Sequence, residues 1–167
     1  MSVHVESGIE FDFTQAVSVI AHDKRPGGQG NNIWKGVDFC PQDGPEHLWL
    51  EVKSWHPTQV AATRRGGTRW SFICKMKSKA FATEILYKFL GTTAFLAWTN
   101  NFTLAPTRYI LLFQPPHPLD AALLVTFQSR IEKQVSRPKI WYQPIYVAVL
   151  DLDEWNRRYP DYPARQL

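Results

Sequence analysis

Asp38 and the run Glu51-Val52-Lys53 are the residues whose types and spacing could do chemistry in this chain. Twelve residues separate Asp38 from Glu51. On a strand, side chains alternate with period two, so Glu51 and Lys53 leave one face while Leu50 and Val52 leave the other. In the earlier segment Asp38 shares a face with Gly36 and Cys40, opposite Val37 and Phe39. Pairing of the two strands as neighbours brings two carboxylates and one ammonium onto a single patch. Hard divalent cations such as Mg²⁺ take such oxygen ligands, and an adjacent lysine can orient an attacking water or help to deprotonate it. The chemistry implied is metal-assisted phosphodiester hydrolysis.

A Glu-x-Lys pair also decorates many solvated sheet faces, where it is only a same-face charge pair. The surroundings weigh against that reading. His47–Trp55 (HLWLEVKSW) is apolar on both faces, with Leu48, Leu50 and Val52 on one and Trp49 and Trp55 on the other. Such a run predicts an interior strand, and an interior strand rarely carries charges without a partner or a metal. Asp38 likewise sits in an apolar run, between Val37 and Phe39.

This pattern resembles the PD-(D/E)xK nuclease superfamily, which includes restriction endonucleases, Holliday-junction resolvases and phage exonucleases. The motif covers residues 36–53, and Val37 stands where the family's variable proline is found. The resemblance implies that Asp38 and Glu51 bind Mg²⁺, for which Mn²⁺ can substitute, with the Val52 backbone carbonyl as a further metal ligand. Lys53 positions the water and stabilises developing charge. It also implies DNA as substrate, action as a homodimer on duplexes, and a restriction-endonuclease-like three-layer α/β/α sandwich with a central mixed sheet. Many members carry a further glutamate on the first helix. The options here are Glu6, Glu10 and Asp12, of which Glu10 is taken as the catalytic candidate, although it also fits a capping box opened by Ser7.

A chain of 167 residues is expected to make one domain, 1–167, and 44% hydrophobic content suffices for a packed core. No apolar run approaches the roughly 18–20 residues of a membrane span. The N-terminus has neither a basic nor an apolar signal region, and Cys40 and Cys74 read as reduced thiols, so a cytoplasmic protein is expected. The net charge is +4, and residues 34–80 hold eight Lys/Arg against four acids, so the rest of the chain is balanced. The excess positive charge thus surrounds the proposed site, as a phosphate backbone requires.

Ile9, Phe11 and Phe13 alternate as on a strand, but Ile9, Phe13, Ala16, Val17 and Ile20 share one helical face, so of the two a helix through about Asp23 is favoured. A loop over Asp23–Asn32 and strands at about Trp34–Cys40, Leu48–Trp55 and Arg69–Lys75 follow. A helix from the N-cap Ser78 to Leu90, closed by Gly91, is followed by strands at Thr93–Thr99 and Arg108–Gln114. A long helix over Leu119–Val135, a strand at Tyr146–Leu150, a short helix at Asp151–Arg158 and a fraying tail complete the series. The alternation predicts an α/β protein with a mixed sheet. Arg64, Arg65 and Arg69, with Lys75, Lys77 and Lys79, are candidate nucleic-acid contacts, and Glu84 reads as a surface residue of its helix. His56, Trp55 and Trp70 lie close enough in sequence to touch substrate, and the histidines match no zinc spacing with the cysteines. Two rivals stand beside a DNA nuclease: an RNA-directed nuclease, and a non-catalytic nucleic-acid-binding or protein-interaction module.

Overall fold

The chain opens with a hairpin rather than a helix. Ile9, Phe11 and Phe13 are all fully buried, so the two-residue period decides, and β1 (Val3–Glu6) pairs antiparallel with β2 (Ile9–Asp12). Ser7 and Gly8 connect them with φ of 53° and 79°, the doubly positive pair a type I′ turn requires. The Asp12 carboxylate accepts the Thr14 N–H at 2.9 Å and closes a turn, after which β3 (Ser18–Ala21) begins. A computed structural model describes residues 2–21, 36–42, 44–54, 68–101, 103–114, 120–136 and 144–167, without the side chains of 54 and 68–72. The Asp23–Asn32 loop, Trp55, His56, Arg64 and Arg65 lie outside the described residues.

The protein is mixed α/β. β3, β4 (Phe39–Gln42) and β5 (His47–Ser54) form an antiparallel meander, and β6 (Thr107–Gln114) and β7 (Ile145–Leu150) continue the sheet parallel to β5. The strand order is β3-β4-β5-β6-β7. Helices α1 (Thr68–Lys77) and α2 (Lys79–Trp98) lie between β5 and β6, and α3 (Ala121–Val135) lies between β6 and β7. Parallel neighbours need such crossovers. α4 (Leu152–Arg158) and β8 (Ala164–Gln166) follow. Among the described residues no helix is long and apolar enough to cross a membrane.

Alternation along the central strands sorts their side chains between two cores. Trp49, Tyr109, Leu111, Phe113, Val147 and Val149 pack with Phe81, Ile85, Phe89, Phe127 and Ile131 of α2 and α3. Leu48, Leu50, Val52, Ile110 and Leu112 face the opposite way, against Ile9, Phe11, Trp155 and Tyr162. That second face is covered by the three-stranded sheet β1-β2-β8 and the short α4, where the sequence predicts the first helix.

Three further expectations are corrected. Arg69–Lys75 is helical, because Ile73 and Met76, three apart, turn toward the helical core while Cys74 and Lys75 are exposed. Lys75 and Lys77 occupy the last turn, where cations complement the helix dipole. Thr93–Trp98 continues α2 instead of forming a strand, and Gly91 is buried inside the helix rather than ending it. Leu96 is fully buried on the face that carries Phe89, and Thr92 and Thr93 return their hydroxyls to the carbonyls of Lys88 and Phe89. Ser78 does cap α2, accepting the Phe81 N–H at 3.1 Å.

The tail does not fray. β8 pairs with β2, and the Asn156 amide binds both the N–H and the C=O of Ala164 at 2.7 and 2.9 Å. Trp155 is fully buried and donates Nε1–H to the Tyr162 carbonyl at 2.7 Å. Its ring stacks on Tyr159 and meets Phe11 edge-on. Trp155→Ala is therefore expected to cost about 3–5 kcal/mol, measured by urea unfolding, with β8 losing amide-exchange protection first.

Candidate active site

Asp38 lies in the bend that leads into β4, where Phe39 pairs with Leu50 of β5. It is 4% exposed, and its Oδ2 accepts the Val52 N–H at 2.6 Å. This bond places Asp38 beside the edge of β5 at Val52. A strand residue's N–H and C=O leave by the same edge, so the Val52 carbonyl also faces the Asp38 side and not β6. Glu51 and Lys53 leave β5 on the face of Trp49, toward the helical core, as period two requires. The three side chains expected to converge are thus brought together.

The helical layer adds two groups that the sequence reading misses. α2 is largely apolar toward the sheet, but Glu84, Lys88 and Thr92 recur every four residues and form one polar stripe over the site. Lys88 Nζ stands 2.8 Å from Glu51 Oε1 and 3.2 Å from Asp38 Oδ1. Lys53 Nζ stands 2.8 Å from Glu51 Oε1 and 2.8 Å from Glu84 Oε1. Glu84 is therefore a member of this network, not a plain surface residue. The signal was present in the sequence, as polar residues at i, i+4 and i+8 in an otherwise largely apolar helix.

Thr92 fixes the approach to Asp38. Its fully buried Oγ1 accepts the Val37 N–H at 2.8 Å and donates to the Lys88 carbonyl at 2.9 Å. Thr92→Val keeps the shape but strands a buried N–H, and is expected to cost about 1–3 kcal/mol. Chemical denaturation measures this directly.

Burial dominates the electrostatics. Desolvation, reinforced by the Glu51 charge, pushes the Asp38 carboxyl up to about 8, against the opposing pull of Lys88 and the Val52 N–H. Glu51, fully buried, is also raised by desolvation although Lys88 and Lys53 oppose it. For Lys53, desolvation favours the neutral amine, but Glu51 and Glu84 outweigh it and the net shift is upward. Lys53 is accordingly a fixed cation at neutral pH. It can orient water and stabilise negative charge, and it is poorly suited to remove a proton. Burial similarly holds the Cys40 thiol protonated, and neither Cys40 nor Cys74 forms a disulfide.

The donor set fits a hard divalent cation. Glu51 Oε2 is buried with no hydrogen-bond partner among the described residues, an orphaned anionic oxygen that costs free energy unless a cation meets it. Asp38 and the edge-facing Val52 carbonyl supply the neighbouring oxygens. Among the described residues no group of three or more His, Cys, Asp and Glu forms a metal cage. Mg²⁺ does not need one, since it keeps several waters and is commonly held by one or two carboxylates plus substrate phosphate.

The other candidates fall elsewhere. Glu10 is not brought to the site, because it lies on β2 and pairs with Arg165 of β8 at 2.7 Å. Asp12 is held in its own turn by Thr14. Glu6 is the N-terminal acid whose charge reaches Asp38, raising it slightly further. Lys75 and Lys77 are exposed at the end of α1, Lys75 lying 5.7 Å from the Phe81 ring centroid. The Lys77 carbonyl accepts a hydrogen bond from Arg130 of α3. Arg69 and Trp70 belong to α1, and their side chains lie outside the description. Compared with known proteins, the chain matches no protein-family model, no curated protein and no solved structure.

Proposed function

We propose that this chain is a divalent-cation-dependent nuclease that hydrolyses phosphodiester bonds, with DNA as its substrate, on a restriction-endonuclease-like form of the mixed α/β fold. One observation carries the reading. Two buried carboxylates, Asp38 in the bend before β4 and Glu51 on the neighbouring β5, converge beside Lys53, and Glu51 Oε2 has no hydrogen-bond partner among the described residues.

Asp38, Glu51 and the Val52 carbonyl would hold Mg²⁺, with Mn²⁺ able to replace it. When bound, the ion supplies Lewis-acid stabilisation of the scissile phosphate and lowers the pKa of its water. Lys53, kept charged by Glu51 and Glu84, orients the water nucleophile and stabilises charge developing on the phosphate. Lys75 and Lys77, with Arg64, Arg65 and Arg69, supply contacts to the substrate backbone. A symmetric dimer would let two such sites address two strands, and cysteines outside any disulfide accord with a reducing, cytoplasmic setting.

A second reading has its own support. Lys53 and Lys88 already stand against the two carboxylates, as in a structural charge network of a non-catalytic nucleic-acid-binding module. One experiment separates them. Purified protein is incubated with supercoiled, linear, single-stranded and branched DNA and with RNA, in Mg²⁺, Mn²⁺ or EDTA. The nuclease reading expects metal-dependent, EDTA-abolished cleavage of DNA. Binding without cleavage throughout supports the module, and cleavage of RNA alone reassigns the substrate.

A further inference from the structure

The position of Lys88 has a consequence for how the site takes up a cation. Its ammonium lies between the two carboxylates, 2.8 Å from Glu51 Oε1 and 3.2 Å from Asp38 Oδ1, on a side chain only 14% exposed. A divalent ion shared by the same two residues would sit roughly 2.0–2.6 Å from their oxygens. Two cations that close to one pair of carboxylates repel strongly in a buried setting. Lys88 and the divalent ion therefore compete for one place.

The helix offers the displaced ammonium somewhere to go. Glu84 lies one turn earlier on α2, at i−4, the orientation in which a glutamate and a lysine attract best on a helix. Glu84 is 34% exposed, so its carboxylate lies on the path from the site to solvent. The lysine stem is flexible and its head carries three donors, so it can exchange Asp38 and Glu51 for Glu84 without movement of the backbone.

We propose that Lys88 is a built-in counter-ion, which holds Asp38 and Glu51 together when the protein is metal-free and yields its place to the divalent cation, moving toward Glu84. This inference rests on the metal-binding part of the proposed function. It adds that the protein makes metal uptake an exchange of one cation for another at the same two carboxyl groups. Glu84 acts here as a positioning residue for both lysines.

The test is Mn²⁺ titration by calorimetry at constant pH, with the wild type, Lys88→Met and Lys53→Met. Removal of the competitor is expected to tighten Mn²⁺ binding roughly tenfold or more in Lys88→Met. A smaller gain is expected in Lys53→Met, because Lys53 touches Glu51 but not Asp38. Lys88→Gln, which keeps a hydrogen-bonding head without charge, serves if the methionine variant does not fold, and is expected to tighten binding in the same direction. Wild type that binds Mn²⁺ while neither Lys88 variant binds more tightly overturns the inference and leaves the metal site standing. Wild type that binds no Mn²⁺ overturns the metal site, and the inference with it.

Discussion

Lys53→Met is expected to leave a folded protein that still binds Mn²⁺ but cleaves DNA roughly 100- to 1,000-fold more slowly, the scale of losing one preorganised charge-stabilising group. The fold should tolerate the change, because Glu51 retains Lys88 and Glu84 is partly solvated. Asp38→Asn is expected to lose both metal binding and cleavage. Asparagine preserves the shape and an acceptor for the Val52 N–H, so the loss would report the missing charge. The two variants together separate cation binding from transition-state stabilisation. Single-turnover cleavage, with calorimetry on the same preparations, reads both. A Lys53→Met protein that cleaves at the wild-type rate removes this lysine from the mechanism.

Stability of the metal-free protein is expected to fall as pH rises from about 4 to about 8. The unfolded Asp38 side chain releases its proton near its ordinary 3.8, whereas burial and the Glu51 charge hold the proton in the folded protein until about 8. Between those values the folded state binds more protons than the unfolded state, so stability decreases with pH. Glu51, raised by burial, contributes with the same sign. Glu46 and Glu154 are lowered by exposed arginine partners, and their small stabilisation runs the other way, mostly complete above pH 5. Mg²⁺ requires both carboxylates ionised, so the stabilisation it gives should grow across the same window. Thermal denaturation from pH 5 to 9, with and without Mg²⁺, tests this. Asp38→Asn should flatten the metal-free slope, and a wild-type midpoint that rises toward pH 8 contradicts the account.

The parts of the structure that could be read in advance were those where burial and local pattern agree. β5 alternates Leu48, Leu50 and Val52 against Trp49 and Glu51 in one unbroken strand, so the face of the Glu-x-Lys pair followed directly from the sequence. The Asp38 partnership was visible because a short connection between two apolar runs favours neighbouring antiparallel strands. The first twenty residues misled because Ile9, Phe13, Ala16 and Ile20 also fit a helical face. The Ser7-Gly8 turn and full burial of Phe11 decide for a hairpin. That error carried Glu10 with it, since on β2 it turns away from Ile9 and Phe11 and meets Arg165.

The helix after the motif was found but cut short at Gly91, and the shortening hid part of its polar stripe. Gly91 carries the usual mark of a helix end, yet Thr92 and Leu96 beyond it are fully buried and continue the contact with the sheet. Tertiary packing overrides a local stop signal there. Lys88 could not be assigned from spacing alone, because its partners lie 37 and 50 positions away, on β5 and before β4. Only the packing of α2 across the sheet brings it to Asp38 and Glu51.

The most direct measurement of the central claim is the rate of DNA cleavage as a function of Mg²⁺ concentration, for wild type and Glu51→Gln side by side. Glutamine keeps the size of the buried side chain but removes the charge and the unsatisfied anionic oxygen. The account predicts saturable, EDTA-abolished cleavage by the wild type and none above background by Glu51→Gln at any Mg²⁺ concentration. Equal cleavage by both proteins, or cleavage that persists in EDTA, would contradict it.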